Sequence, residues 1–218
     1  MGGIAERLDQ GVSMLILKIG GGRGINIEGV AQDLATVSEP VIVVHGANAW
    51  RDELAAKLGV AVEVVSSVRG YDSVLSTEAS LDVLMMAYAG LRNKRIVEAF
   101  QRHQIRAVGL SGLDGRSIQG RRNSGIQCPQ GEKIVIRRDL SGKPRQVNAE
   151  LLGLLLSHGY VPVLTVPISD ENGFAISADN DDVVTALHAT FRASTIVSMI
   201  EAPGFLKDAA DPSSLPSR

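Results

Sequence analysis

The chain holds one cysteine, Cys128, in 218 residues. That excludes an internal disulfide and fits a reducing, cytoplasmic setting. Aromatic residues make up only 4%. None interleaves with the basic residues in the way base stacking needs, so nucleic acid is not an expected partner. The four histidines, His45, His103, His158 and His188, lack metal-ligand spacing, and no protein-built metal site is expected. No apolar run reaches the roughly 18 residues of a membrane span, and the first 13 residues lack the apolar core of a signal peptide. The net charge of −2 gives no global pull toward polyanions or an anionic membrane. Two familiar phosphate loops are missing as well. In a P-loop the lysine follows the glycines, whereas Lys18 precedes Gly20, Gly21 and Gly22. A dinucleotide fingerprint needs an acid about 20 residues on, and the next apolar run, VIVVH, ends instead in His45-Gly46.

What is present is ordinary globular material, 44% hydrophobic and 21% charged, enough for one large domain or two lobes. Strand-like and helix-like stretches alternate. Strands are expected over 14–19, 41–45, 62–66, 107–110, 161–166 and 195–200. Helices are expected over 27–37 (with Asn26 as N-cap), 49–58 (closed by Gly59), 78–101, 149–157 and 181–191. Residues 133–138 and 144–147 flank Asp139-Leu-Ser-Gly-Lys and suggest a hairpin. Nearly continuous apolar strands between helices predict an α/β fold with a mainly parallel sheet covered on both faces. Met14 falls just before the first strand, so residues 1–13 are expected to be an extension.

Ligands of open α/β sheets bind beyond the carboxyl ends of the strands. Three glycine turns fall there: Lys18 with Gly20–Gly22, His45-Gly46-Ala47-Asn48, and Ser111-Gly112-Leu113-Asp114-Gly115. Glycine lets backbone approach a ligand and presents N–H groups to oxyanions. A fourth stretch, Ser177-Ala-Asp179-Asn-Asp181-Asp182, opens a helix with more acids than capping requires. Such acids can hold Mg²⁺ or fix a lysine. Together these parts suggest phosphoryl transfer, with a lysine neutralising the moving phosphate and an acid orienting the lysine. A separate stretch, 116–145, carries eight basic residues (among them Arg116, Arg121, Arg122, Arg137 and Arg138) against two acids. It suits either a solvated face or a docking surface for an acidic partner.

The strings LILKIGGG, VVHGAN, AGLRNKRIVE, AVGLSGLDG, VNAELLGLLLSHGYVPVLTVP, ADNDDVVTAL and EAPGFLKD follow one another in this order. In that order the chain resembles the amino acid kinase family over residues 14–208, and within it the N-acetylglutamate kinase branch. GLSGLDGR, a basic hairpin and VNAELL most resemble the sub-branch acting on aminoadipate carried by a small acidic amino-group carrier protein. The resemblance implies an open αβα sandwich. An acyl-substrate lobe is implied over 14–168, with its basic hairpin at about 116–147, and an incomplete nucleotide lobe over 169–218. It implies ATP and Mg²⁺ as cofactors, a homodimer, and phosphorylation of a side-chain carboxylate to an acyl phosphate in lysine- or arginine-type biosynthesis. N-acetylglutamate kinase activity, or carrier binding without catalysis, are the alternatives.

By motif, Lys18 and Asp181 correspond to catalytic residues. Gly20, Gly21, Gly22, Glu201 and Gly204 correspond to phosphate- and nucleotide-binding positions, and Gly46, Ala47, Arg69 and Ser177 to substrate-binding ones. Arg116, Arg121, Arg122, Arg137 and Arg138 correspond to the carrier-facing surface. Ala47 replaces a family glycine, so its methyl is expected to intrude on substrate. Val74 stands where the family has the arginine for the substrate α-carboxylate. A second catalytic lysine of the family is expected beyond Arg218.

Overall fold

In the computed structural model, residues 13–201 are described, apart from 62, 67, 69–71 and 132. The first half of the chain runs β1 (Leu15–Ile19), α1 (Ile27–Leu34), β2 (Val41–His45), α2 (Asn48–Leu58), β3 (Val64–Ser66), β4 (Asp72–Val74) and α3 (Glu78–Met85). A wider, π-helical stretch, Met86–Arg92, then leads straight into α4 (Asn93–Arg102). The second half runs β5 (Ala107–Ser111), β6 (Ile118–Arg122), β7 (Ile126–Gln130), β8 (Lys133–Arg137), β9 (Gly142–Val147), α5 (Ala149–Ser157) and β10 (Val161–Thr165). It closes with β11 (Ile168–Ser169), β12 (Ala175–Ile176), α6 (Asn180–Phe191) and β13 (Thr195–Met199).

Five strands form a wholly parallel sheet in the order β13-β1-β2-β10-β5. Its two faces bury separate clusters. Ile16, Ile42, Val44 and Leu164 pack with Leu84, Leu152 and Leu187 from α3, α5 and α6. Leu15, Leu17, Val41, Val43 and Val163 pack with Leu34, Ile96 and Phe100 from α1 and α4. Because neighbouring strand residues point to opposite faces, Lys18 shares the side of Ile16, toward α6, and His45 shares the side of Val43, toward α4.

The predicted helix starts are found with their caps. Asn26 Oδ1 accepts from Gly29 N at 3.1 Å, and Asn148 Oδ1 accepts from Leu151 N at 3.0 Å. Thr77 and Ser80 form a reciprocal capping box on α3. Helix α2 differs: its N-cap position is Ala47, which has no side-chain cap to offer, and a backbone oxygen serves instead, with Ala49 N donating to Gly21 O at 3.0 Å. The long helix expected over 78–101 is interrupted by the π stretch. That stretch carries Tyr88, whose hydroxyl donates to Asn48 Oδ1, and Arg92, whose guanidinium lies 4.1 Å from the centroid of the Trp50 ring.

The hairpin expected across 139–143 does not form. Strand β8 pairs with β7, and β9 pairs with β6 in a second sheet ordered β12-β11-β6-β9. The connecting residues are anchored elsewhere. Leu140 is buried and its N–H donates to Ser76 O at 2.8 Å, while buried Asp139 accepts from Ser76 N at 2.9 Å. Gly120 faces β9 so closely that a Cβ there would lie 2.6 Å from Lys143 O. The basic segment is therefore two ladders, not one hairpin.

Candidate active site

The carboxyl ends of β1 and β2, the first turns of α2 and α6, and residues 141–143 at the start of β9 enclose a cleft of about 480 Å³. Lys18 leaves β1 on the α6 side, and its ammonium pairs with the Asp181 carboxylate in the first turn of α6. Asp179 caps that helix, accepting from Asp181 N at 2.7 Å. Asp182 lies 3.7 Å from the Lys143 ammonium. The three acids thus act as one cap and two lysine holders. Among the described residues no three His, Cys, Asp or Glu side chains converge as metal ligands. Mg²⁺ commonly enters such sites on the phosphates of its nucleotide, with few protein ligands.

The two glycine loops touch backbone to backbone. A Cβ on Gly21 would sit 2.7 Å from Asn48 N and 3.1 Å from Ala47 N. A Cβ on Gly46 would sit 2.9 Å from Gly21 N. The amide of Gly46, expected to face the carboxylate, is taken by Ile19 O, and that of Gly20 by Met199 O, at 2.9 Å each. Both belong to strand-end ladders, and Gly46 contributes space, not a donor. Among the described residues, the N–H groups of Gly21, Gly22, Ala47 and Asn48 have no backbone acceptor. Ala49 N donates to Gly21 O at 3.0 Å and the Ala47 amide meets the Tyr88 hydroxyl, so Asn48 N is the first-turn amide left open at the positive end of α2, a setting that favours an anion. Glu201, at the end of β13, reaches back over the same loop and accepts from Gly24 N.

Ser177 lines the cleft and is fixed by Gly142 N, which donates to Ser177 O at 2.9 Å. The Ala47 methyl does not intrude; it is fully buried in the core beneath α2. The Ser111–Gly115 turn is structural. Asp114 Oδ2 accepts from Ser111 N and Oγ at 2.6 and 2.8 Å, and Gly112 N donates to Pro167 O at 2.8 Å. Arg69 and Gly204 lie outside the described residues.

Of the basic residues expected to face a carrier, Arg122 lies 3.5 Å from buried Asp170, Arg137 2.7 Å from Glu63, and Arg138 3.9 Å from Glu78. Arg116 and Arg121 have no ion pair among the described residues. Sequence reasoning placed Asn48 in a candidate glycine turn but missed Arg51, Ser80, Tyr88 and Lys143, all of which line the cleft. Arg51 could have been found as a residue of the helix opening after a glycine turn. Tyr88 was hidden in an apolar stripe, and Lys143 in a presumed turn.

His45, although part of the second glycine motif, faces away from the cleft. Its Nδ1 lies 3.1 Å from Gly46 O and its Nε2 3.1 Å from Asn93 Nδ2. A carbonyl only accepts, so Nδ1 carries the proton and Nε2 accepts from the Asn93 amide. A second ring proton would confront that amide's own N–H. Burial pushes the imidazole down from 6.5 to about 4. Below pH 6.5 the unfolded chain takes up a proton that the folded one refuses until about pH 4. His45 stability is therefore whole above that window and declines as pH falls through it, by about 3 kcal/mol in all. Urea midpoints measured from pH 7 to 4 should fall less steeply for His45→Gln than for wild type. Parallel curves would remove His45 as the cause.

The amino acid kinase family matches residues 13–215. A [LysW]-aminoadipate kinase of Deinococcus radiodurans is 38% identical over 208 residues, covering 94% of this chain and 71% of that relative. An acetylglutamate kinase of Methanopyrus kandleri is 33% identical over 205 residues, covering 94% and 78%. In fold, the chain is similar to carbamate kinase from Giardia lamblia bound to AMP-PNP, with a TM-score of 0.54 over 87% of this chain and 74% of the other.

Proposed function

The chain belongs to the amino acid kinase family, and from that premise we propose that it phosphorylates the side-chain carboxylate of an N-blocked acidic amino acid with ATP. One carboxylate oxygen attacks the γ-phosphorus, the bond to the β,γ-bridging oxygen breaks, and an acyl phosphate and ADP leave. Lys18 neutralises charge on the phosphoryl group in transit, and Asp181 holds the lysine in line. The amides of Gly21, Gly22 and Asn48 cradle phosphate and carboxylate oxygens. Glu201, and Gly204 beyond it, belong to the nucleotide side, and Ser177 and Arg69 to the acyl side. ATP supplies the phosphoryl group, and Mg²⁺ travels on its phosphates. The observation that carries this reading is the Lys18–Asp181 pair beside a helix start that has no side-chain cap.

The acyl group we favour is aminoadipate on a small acidic carrier, as the Deinococcus relative's name describes for that protein. Of the five arginines expected to face such a carrier, Arg116 and Arg121 have no ion pair among the described residues and are left to meet it. The exposed Met86 and Leu91 on the π stretch suit a homodimer face. The test is ADP release with carrier-linked aminoadipate beside N-acetylglutamate, with hydroxylamine trapping of the acyl phosphate. No hydroxamate from either substrate refutes the kinase assignment. Arg121→Glu should raise KM for carrier-linked aminoadipate about tenfold at low salt and leave N-acetylglutamate kinetics unchanged. An unchanged KM for both would move the docking surface elsewhere.

A further inference from the structure

Resting on the carboxylate-kinase reading, we infer that Arg51 is the residue that grips the second carboxylate of the acyl substrate and so sets its class. An N-blocked acidic amino acid carries two carboxylates, one that reacts and one on the α-carbon. The reacting one belongs at Lys18 and the Asn48 amide that opens α2. The other needs a cation farther along the cleft. Among the described residues, two cations besides Lys18 line it, Arg51 and Lys143. Lys143 is engaged with Asp182, beside the Lys18–Asp181 pair, and so stands with the phosphoryl machinery. Arg51 lines the cleft from α2, close to Tyr88.

The spacing fits. Arg51 is three residues beyond Asn48, about 4.5 Å along the helix axis. The two carboxyl carbons of an extended glutamate or aminoadipate are roughly 5–6 Å apart, from the C–C bond length. The guanidinium is also held for the task. Asp52 Oδ1 accepts from Arg51 Nε at 2.8 Å and lies 2.8 Å from Nη2. That fixes one edge of the fork and leaves Nη1 without a partner among the described residues. A planar fork pinned on one edge presents its remaining donors to a carboxylate at little entropic cost. Ser80 and Leu84 line the cleft with it, giving polar and apolar contact for the chain between the two carboxylates.

The probes are N-acetyl-L-glutamate, N-acetyl-L-2-aminoadipate and their α-carboxamides. Wild type should prefer the α-carboxylate over the α-carboxamide by about 30-fold in kcat/KM, equivalent to about 2 kcal/mol at 1.4 kcal/mol per decade. Arg51→Gln should abolish that preference, raising KM for the carboxylates about 30-fold. Its kcat, its KM for ATP and its melting temperature should stay near wild type. Arg51→Lys should recover part of the preference. If Arg51→Gln keeps the full preference while wild type is active, another residue holds the α-carboxylate and the inference fails alone. If wild type turns over none of the probes and no carrier-linked aminoadipate, the kinase reading fails and takes this inference with it.

Discussion

Lys18→Ala should lower kcat by about a thousandfold, about 4 kcal/mol of transition-state stabilisation, while KM for ATP and for the acyl substrate moves less than about threefold. The ammonium stands at the end of β1, among free amides, with Asp181 as its partner. In the proposed reaction, ground-state phosphate would be held by the nucleotide's own metal and by backbone. The lysine is needed when charge builds on the oxygens of the moving group. The cavity left by the missing side chain opens to the cleft, so the fold should survive, and unchanged melting would separate lost chemistry from lost structure. Lys18→Arg should recover little, because a planar fork cannot reproduce a point charge held by one carboxylate. A fall in kcat below tenfold would remove Lys18 from the chemistry.

Gly21→Ala should be nearly as damaging by a different route. The added methyl would lie 2.7 Å from Asn48 N and 3.1 Å from Ala47 N. Both atoms are backbone, so nothing rotates away. Either the loop lifts off α2 or the methyl seals the amides meant for oxygen ligands. The expected result is a loss of more than about 100-fold in kcat/KM for both substrates, with about 1–3 kcal/mol of stability lost to the forced separation. Chemical denaturation beside steady-state kinetics reads both. An alanine variant with wild-type KM for ATP would show that the loop does not meet the phosphates.

The parallel sheet was legible because its strands are continuous in β-branched and aliphatic residues and lie between well-capped helices. Lys18 was legible for the same reason: a charge inside such a run is conspicuous. Asp181 stood out against the two acids beside it only through the family resemblance. What escaped was set by contacts distant in sequence. Pairing of β6 with β9 depends on Leu140 and Asp139 anchoring to Ser76, a contact that no local pattern encodes. Gly46 looked like an amide donor, yet its N–H is spent on Ile19 O. Whether a glycine offers a donor or only room depends on the neighbouring strand. Tyr88 and Arg51 fit ordinary helix patterns, and only the π stretch and the start of α2, which has no side-chain cap, turn them toward the cleft.

Lys18 and Asp181 are 163 residues apart in the chain. The strand that bears the lysine sits in the sheet between β2, its near neighbour in sequence, and β13, which follows the helix bearing the aspartate. Local structure in either half cannot bring the two charges together. Closing so long a loop is the step that folding rewards last. Catalytic competence is thus a readout of finished topology: a chain with every helix formed but its last strand undocked would be compact, largely native in secondary structure, and inert.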